Sequence, residues 1–346
     1  MEQKQSLTVY DIAKLAGVSV ATVSKVLNHR RGVNSQTAEQ VNRVLAETGF
    51  KPRWSSLGNR VIGLILPTFK GLMQSAYYAS IVANCYDLLI QRGYSIQLIC
   101  RSLVDTPDSY KKAKLGSLEN LCGVIANDAR PDYAFLRKLI GNAPAFPCVV
   151  IGKPDFGENP PPNASTFNVT VDDFHAGYQM AKMMINYNHR RFLIVTAALD
   201  ITGHLHRRDG MLAALHDNNI PDSQIRQIEY RREMFKSGSQ LAVNIACSSS
   251  EYPDAILFSD GQICCGFVMG CRDMRLSIPE CFSVAGFEDD KELERLPVRI
   301  TSMNIPAAQL TEQAVDLLLA QINHEEIPIQ EPVQPTLILR DSVRQR

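Results

Sequence analysis

The chain has 346 residues, too many for one compact core, so two or three domains are expected. With 45% hydrophobic and 21% charged residues it has the make-up of an ordinary soluble globular protein. No apolar run nears the ~18 residues of a membrane span, and the opening MEQKQSLTVY has no apolar leader segment. Net charge is zero but uneven: residues 1–60 hold nine Lys/Arg against four acids, a head of +5 on a body of −5. Such asymmetry concentrates attraction for phosphate at one end.

In chain order, Thr8–Asn28 (TVYDIAKLAGVSVATVSKVLN) reads as two short helices around a glycine turn. Thr8 with Asp11 three residues on has capping-box spacing, and Ile12, Leu15 and Ala16 recur at helical spacing. Gly17 ends the first helix, since glycine tolerates positive φ. Ser19 caps the second, in which Val23, Val26 and Leu27 form a buried stripe. That leaves Val20, Ala21, Ser24, Lys25 and Asn28 outward, a small mixed face that suits a DNA major groove. A third helix follows, capped by Asn34, striped by Ala38, Val41, Val44 and Leu45, and closed by Gly49. Three such helices make a DNA-binding unit; the bland reading is a solvated helical hairpin, which has no need of the basic charge.

From Val61 strands alternate with helices. Strands are expected at Val61–Leu66, Ser95–Cys100, Gly123–Ala126 and Cys148–Ile151, with helices at Ser75–Arg92, Ser109–Asn120 and Tyr133–Ile140. A Pro-rich stretch at Asn159–Asn163 interrupts. The rhythm resumes with strands Asn168–Val171, Phe192–Thr196, Ala255–Phe258 and Ser283–Gly286, and helices Asp173–Tyr187, through Met211–Leu215, and Ile263–Met274. Apolar strands between helices indicate parallel sheets covered on both faces, here in two lobes, with ligands held beyond the carboxyl ends of the strands.

Thr8–Asn28 resembles the DNA-binding head of the lac repressor (LacI/GalR) family, in the runs Asp11-Ile12-Ala13, Ala16-Gly17-Val18-Ser19 and Thr22-Val23-Ser24. The remainder is similar to that family's core, related in fold to periplasmic binding proteins, at Val171-Asp172-Asp173, Ala176-Gly177, His189-Arg190-Arg191, Arg207 with Gly210, Ser283–Phe287 and Leu337–Ser342. The resemblance implies an α/β protein with a helix-turn-helix head (1–51), a hinge (52–60) and an effector-binding and dimerisation core (61–346). Its N-lobe is expected at about 61–165 and 292–322, its C-lobe at about 166–290 and 323–346, with crossings near 165–168, 288–292 and 323–334. It further implies base reading by Val20, Ala21 and Lys25, phosphate or backbone contacts by Thr8, Ser19, Thr22, Ser24, Asn28 and His29, and effector contacts by Asn127, Asp128, Leu205, Ser259, Asp260 and Glu288.

The chain departs from the family pattern in two places. Leu205, Glu288 and Ser259 stand where an Arg, an Asp and an Asn are usual, so an Arg clamp on sugar hydroxyls is not expected. The segment Pro52–Arg60 is about five residues shorter than the usual hinge; Leu57 follows Ser56 as a minor-groove wedge would, but Gly58 weakens any helix there by about 1 kcal/mol.

No catalytic constellation, P-loop or G-x-G-x-x-G is present, so no cofactor is expected. Asp172-Asp173 reads as acids at a helix N-terminus, and Arg207 as a brace. His204 and His206, two apart on a helix start, diverge and do not make a metal site. Nine scattered cysteines without a C-x-x-C suggest reduced thiols in a cytosol. The reading is a cytoplasmic, homodimeric transcriptional regulator, a repressor, that binds a near-palindromic operator and answers to a small molecule. The alternatives are a ligand-binding module with impaired DNA reading and an α/β enzyme fused to a DNA-binding head.

Overall fold

A computed structural model describes residues 9–27, 33–48, 60–67, 75–100, 121–127, 147–152, 168–199, 201–248, 251–287, 296–323, 325–327 and 329–346. Contacts divide the chain into two compact units, one holding three short helices and the other holding two sheets. Among the described residues no helix is long and apolar enough to cross a membrane.

The small unit contains α1 (Val9–Leu15), α2 (Val20–Leu27) and α3 (Ser35–Thr48). Gly17 sits at φ +60°, in the left-handed region that glycine enters without strain, and turns α1 into α2. Ser19 Oγ accepts the Thr22 N–H at 3.1 Å, and Asn34 Oδ1 accepts the Thr37 N–H at 2.7 Å, so these two expected caps are made, while the expected cap Thr8 lies outside the described residues. Ile12, Ala13, Ala16, Val23, Val26 and Val41 form the core of this unit. The expected face of α1 is corrected by one position: Leu15 is 58% exposed, while Ala13 is buried. The turn explains it, because Val18 N–H donates to Ala13 O and folds the chain over the Ala13 side of the helix.

In the large unit the first sheet has the order β2-β1-β3-β4-β5, from β1 (Val61–Leu66), β2 (Ser95–Cys100), β3 (Gly123–Ala126), β4 (Cys148–Ile151) and β5 (Asn168–Val169). Pairs β1–β3, β3–β4 and β4–β5 are parallel. The strands are nearly continuous in burial, as parallel strands covered on both faces should be. Helix α4 (Ala76–Gln91) lies between β1 and β2 in sequence and ends at Gly93, φ +79°.

The second sheet has the order β11-β10-β9-β8-β6-β7. Its parts in sequence are α5 (Asp173–Asn186), β6 (Phe192–Thr196), α6 (Thr202–Asp217), β7 (Ile225–Glu229), α7 (Met234–Ala246), β8 (Ala255–Phe258), α8 (Gly261–Asp273), β9 (Ser283–Phe287) and β10 (Thr301–Asn304). All neighbours are parallel except β10 and the last strand, β11 (Thr336–Ile338). Phe258, Phe267 and Phe282 stack at centroid distances of 5.2 and 5.6 Å in the core between this sheet and α7–α8.

The lobe boundaries differ from expectation. Residues 301–304 were expected in the first lobe but pair with β9 in the second sheet. Helix α9 (Ala307–Asn323) is what returns to the first lobe, where it packs on α4, β3, β4 and β5. The middle crossing therefore lies between Asn304 and Ala307 rather than near 288–292. The first crossing falls at 170–172, after β5 has paired with β4. There Val171 bridges Val333 in parallel, with Asp172 N–H to Val333 O at 3.0 Å and Val333 N–H to Thr170 O at 2.7 Å. Two of the connecting segments are thus zipped together. The elements β7, α7, β10 and α9 stand where the sequence reading places none. The helices expected at 109–120 and 133–140 lie outside the described residues.

Candidate functional site

In the head, α2 presents the candidate reading face. Lys25 is exposed on it, and Thr22 is half-buried with its hydroxyl 2.8 Å from that of Ser19. Val20 was expected to point outward but is half-buried and packs against the head core. It is the first residue of α2, and there it meets the small Ile12–Val41 core as well as the surface. Ala21 and Ser24 lie on α2 by backbone position. Thr8, Asn28, His29 and the hinge residue Leu57 lie outside the described residues.

In the core, the most structured polar group gathers at the carboxyl ends of β6, β8 and β9. It depends on a close helix crossing. A Cβ on Gly177 of α5 would lie 2.0 Å from Arg207 O, and one on Gly210 of α6 would lie 2.0 Å from Phe174 O. Only glycine allows the two backbones to touch, and the contact sets Arg207 beside Asp173. Arg207 Nε donates to Asp173 Oδ1 at 2.7 Å and Nη1 to Ser259 O at 2.8 Å, with the guanidinium 4.4 Å from the centre of the Phe287 ring. Asp172 caps α5 by accepting the His175 N–H at 3.0 Å, and its other oxygen accepts from Gln334 of a crossing segment at 3.3 Å. The paired acids are thus cap and counter-ion, as the helix N-terminus favours.

Ser259, fully buried after β8, spends its hydroxyl internally: Oγ accepts the Ala197 N–H at 3.1 Å and lies 3.3 Å from His204 Nδ1. His204 Nδ1 also lies 3.1 Å from Ser259 O. Burial, with Arg207 nearby, lowers the His204 pKa to about 3. Asp260 caps α8 by accepting the Ile263 N–H at 2.9 Å. Burial pushes its carboxyl up, against the Ile263 N–H, Arg207 and the Gln262 N–H. Leu205, one residue beyond His204, is half-buried on α6 and offers no donor.

In the first lobe, Asn127 follows β3 and is 4% exposed; its Nδ2 has no partner among the described residues. Its Oδ1 is 3.5 Å from the Tyr77 hydroxyl at the start of α4, and Tyr77 meets Tyr78 edge to face at 5.2 Å. Asp128 and Glu288 lie outside the described residues. Sequence reasoning missed His204 as a polar anchor; its proximity to Ser259 joins residues 55 apart in sequence and carries no local signal. Among the described residues no three His, Cys, Asp or Glu side chains gather as metal ligands. Cys85, Cys122, Cys148, Cys247, Cys271 and Cys281 are free thiols, as are Cys264 and Cys265, both buried in α8.

Comparison with known proteins adds to this geometry. Residues 8–53 match the model for bacterial regulatory proteins of the lacI family, and residues 181–343 match a periplasmic binding protein-like domain. The HTH-type transcriptional repressor PurR of Haemophilus influenzae (strain PittEE) is 26% identical over 353 residues, covering 97% of this chain and 98% of the relative. The structure of transcriptional regulator CelR in complex with cellobiose is similar at TM-score 0.69 and 22% identity, covering 97% of this chain and 100% of that one. The lac repressor dimer bound to operator and the anti-inducer ONPF is similar at TM-score 0.67 and 19% identity, covering 98% and 100%.

Proposed function

The chain belongs to the lac repressor family of ligand-modulated, DNA-binding transcriptional regulators, and from that premise we propose that it acts as a homodimeric repressor on a near-palindromic operator, controlled by a small molecule held between its lobes. The observation that carries the reading is the head: a capped second helix with exposed Lys25, set by the Gly17 turn onto a three-helix core, within a segment of net charge +5. One such head buries little surface, and two related by a two-fold axis match a palindrome.

In this reading Val20, Ala21 and Lys25 meet base edges. Thr8, Ser19, Thr22, Ser24, Asn28 and His29 lie along the phosphates. Leu57 serves as the wedge if the short hinge reaches the minor groove. The half-buried state of Val20 limits it to a methyl contact at the helix start. Effector contacts come from Asn127, Asp128, Leu205, Asp260 and Glu288, while Ser259 orders the wall behind them through Ala197 and His204. Support for a ligand there comes from the buried Nδ2 of Asn127, which has no partner among the described residues, a donor whose burial costs about 1–3 kcal/mol unless something accepts from it. A mobility-shift assay with DNA from upstream of the protein's own gene, run with and without small metabolites that raise its melting temperature, tests the whole. A specific shift changed by one such metabolite is expected; binding indifferent to sequence refutes it.

A further inference from the structure

The wall of the second lobe carries a group that neither the head nor the family resemblance accounts for. His204 stands in the first turn of α6, beyond the carboxyl end of β8. Its Nδ1 lies 3.1 Å from Ser259 O. A backbone carbonyl can only accept, so this contact places the ring proton on Nδ1 and leaves Nε2 with its lone pair. Nε2 has no hydrogen-bond partner among the described residues, nor is it among the fully buried polar atoms.

Desolvation and a neighbouring charge hold the ring neutral. Burial, and after it Arg207 on the same helix, opposes a second proton, so the pKa falls to about 3. Asp173 does not offset this, because its Oδ1 already accepts from Arg207 Nε. Asp260 Oδ1 accepts the Ile263 N–H at the cap of α8. Ser259, whose oxygens receive Arg207 Nη1 and the Ala197 N–H, fixes the ring plane from the β8 side.

We propose that His204 is a specificity-determining contact of the effector site, presenting Nε2 as a fixed acceptor to a hydroxyl or N–H of the ligand. It rests on the reading of the core as an effector site. A carboxylate, sulfate or phosphate oxygen brought to Nε2 meets a lone pair and no proton. The ligand group at this point is therefore a donor, as on a neutral sugar or nucleoside. Leu205, the next residue on the helix, is half-buried and brings no competing donor.

Nitrogen NMR of the imidazoles in the full chain tests this, with ribose, glucose, cellobiose and adenosine added singly as donor probes and sulfate as an acceptor-only probe. Calorimetry reads which of them bind. His204 is expected to show a protonated Nδ1 and a bare Nε2 that takes up no proton between about pH 5 and 8. A donor probe that binds shifts Nε2, and sulfate does not. His204→Asn can keep the Ser259 bond through its amide while losing the Nε2 acceptor, so it should retain the melting temperature and weaken that probe roughly tenfold. An Nε2–H tautomer, a ring that titrates in that range, a sulfate-induced Nε2 shift, or unchanged affinity in His204→Asn each overturns the proposal. Binding of a donor probe with Nε2 unmoved overturns it alone; binding of none of the four overturns the effector reading and this proposal together.

Discussion

Arg207 Nε donates to Asp173 Oδ1 at 2.7 Å, and the two side chains meet because Gly177 and Gly210 let α5 and α6 cross backbone against backbone. Both partners are well buried, at 8% and 13% side-chain exposure. The pair is joined to β8 through Ser259 O and to β9 through the Phe287 ring, so one ion pair ties two helices to two strand ends. Asp173→Ala leaves the guanidinium uncompensated on that side. It should lower stability by about 3–5 kcal/mol, and adding Arg207→Met should recover most of the loss. Urea denaturation checks both; equal stability of Asp173→Ala and the wild type would show that the pair carries no strain of desolvation.

The pH dependence follows from two histidines, His189 and His204, whose pKa values are lowered by desolvation. His189 is fully buried, and burial, with Arg346, lowers its pKa to about 4. His204 is lowered in the same direction, to about 3. A histidine depressed in the fold binds its proton more readily when unfolded. Its stabilising contribution is complete above the ordinary value of 6.5 and is lost as pH falls toward the folded value. Between pH ~6.5 and ~5 the unfolding free energy of the core should therefore drop by up to about 1.4 kcal/mol per pH unit for each of the two. His189→Leu should remove about half of that slope, measured by urea melts at several pH values. A slope unchanged in the variant would exclude His189 as a contributor.

Lys25 is exposed on α2, one turn after Ala21. Its ammonium can donate to guanine O6 or N7, without the fork of an arginine. Lys25→Ala should cost ~1–3 kcal/mol on the operator and relax preference at one base pair in each half-site. Competition binding on a set of single-base operator variants reads this directly. Equal weakening on operator and random DNA would reassign Lys25 to phosphate.

Much of this was legible in the sequence where the signal is local. Gly17, Ser19 and Asn34 mark turns and caps whose partners lie within a few residues, and each does its expected work. Strands such as Val61–Leu66 and Phe192–Thr196 are continuous apolar runs because the sheets bury both faces. β10 was not legible, since Thr301-Ser302-Met303-Asn304 has one apolar residue and owes its place to a neighbour 16 residues away. β7, an edge strand with an exposed Arg226 and Gln227, lacks the run for the same reason. α9 did carry a signal, in Leu310, Ala314, Leu317 and Leu318 at helical spacing, all buried. In the core site, the acids were legible as helix-start residues, whereas the His204–Ser259 contact was not, because only the folded sheet brings α6 over the end of β8.

The central claim, that the basic head of this chain engages an operator, is tested most directly by the salt dependence of DNA binding. The head carries +5, and a dimer presents two of them. If about six to ten phosphates are engaged, operator affinity should fall by ~10³–10⁵ between 50 and 200 mM salt, with a linear log–log slope. Fluorescence anisotropy of the full chain on its upstream DNA, titrated at several salt concentrations, gives that slope. A steep slope with preference for the operator over random DNA is the predicted result; an affinity that does not change with salt contradicts the account.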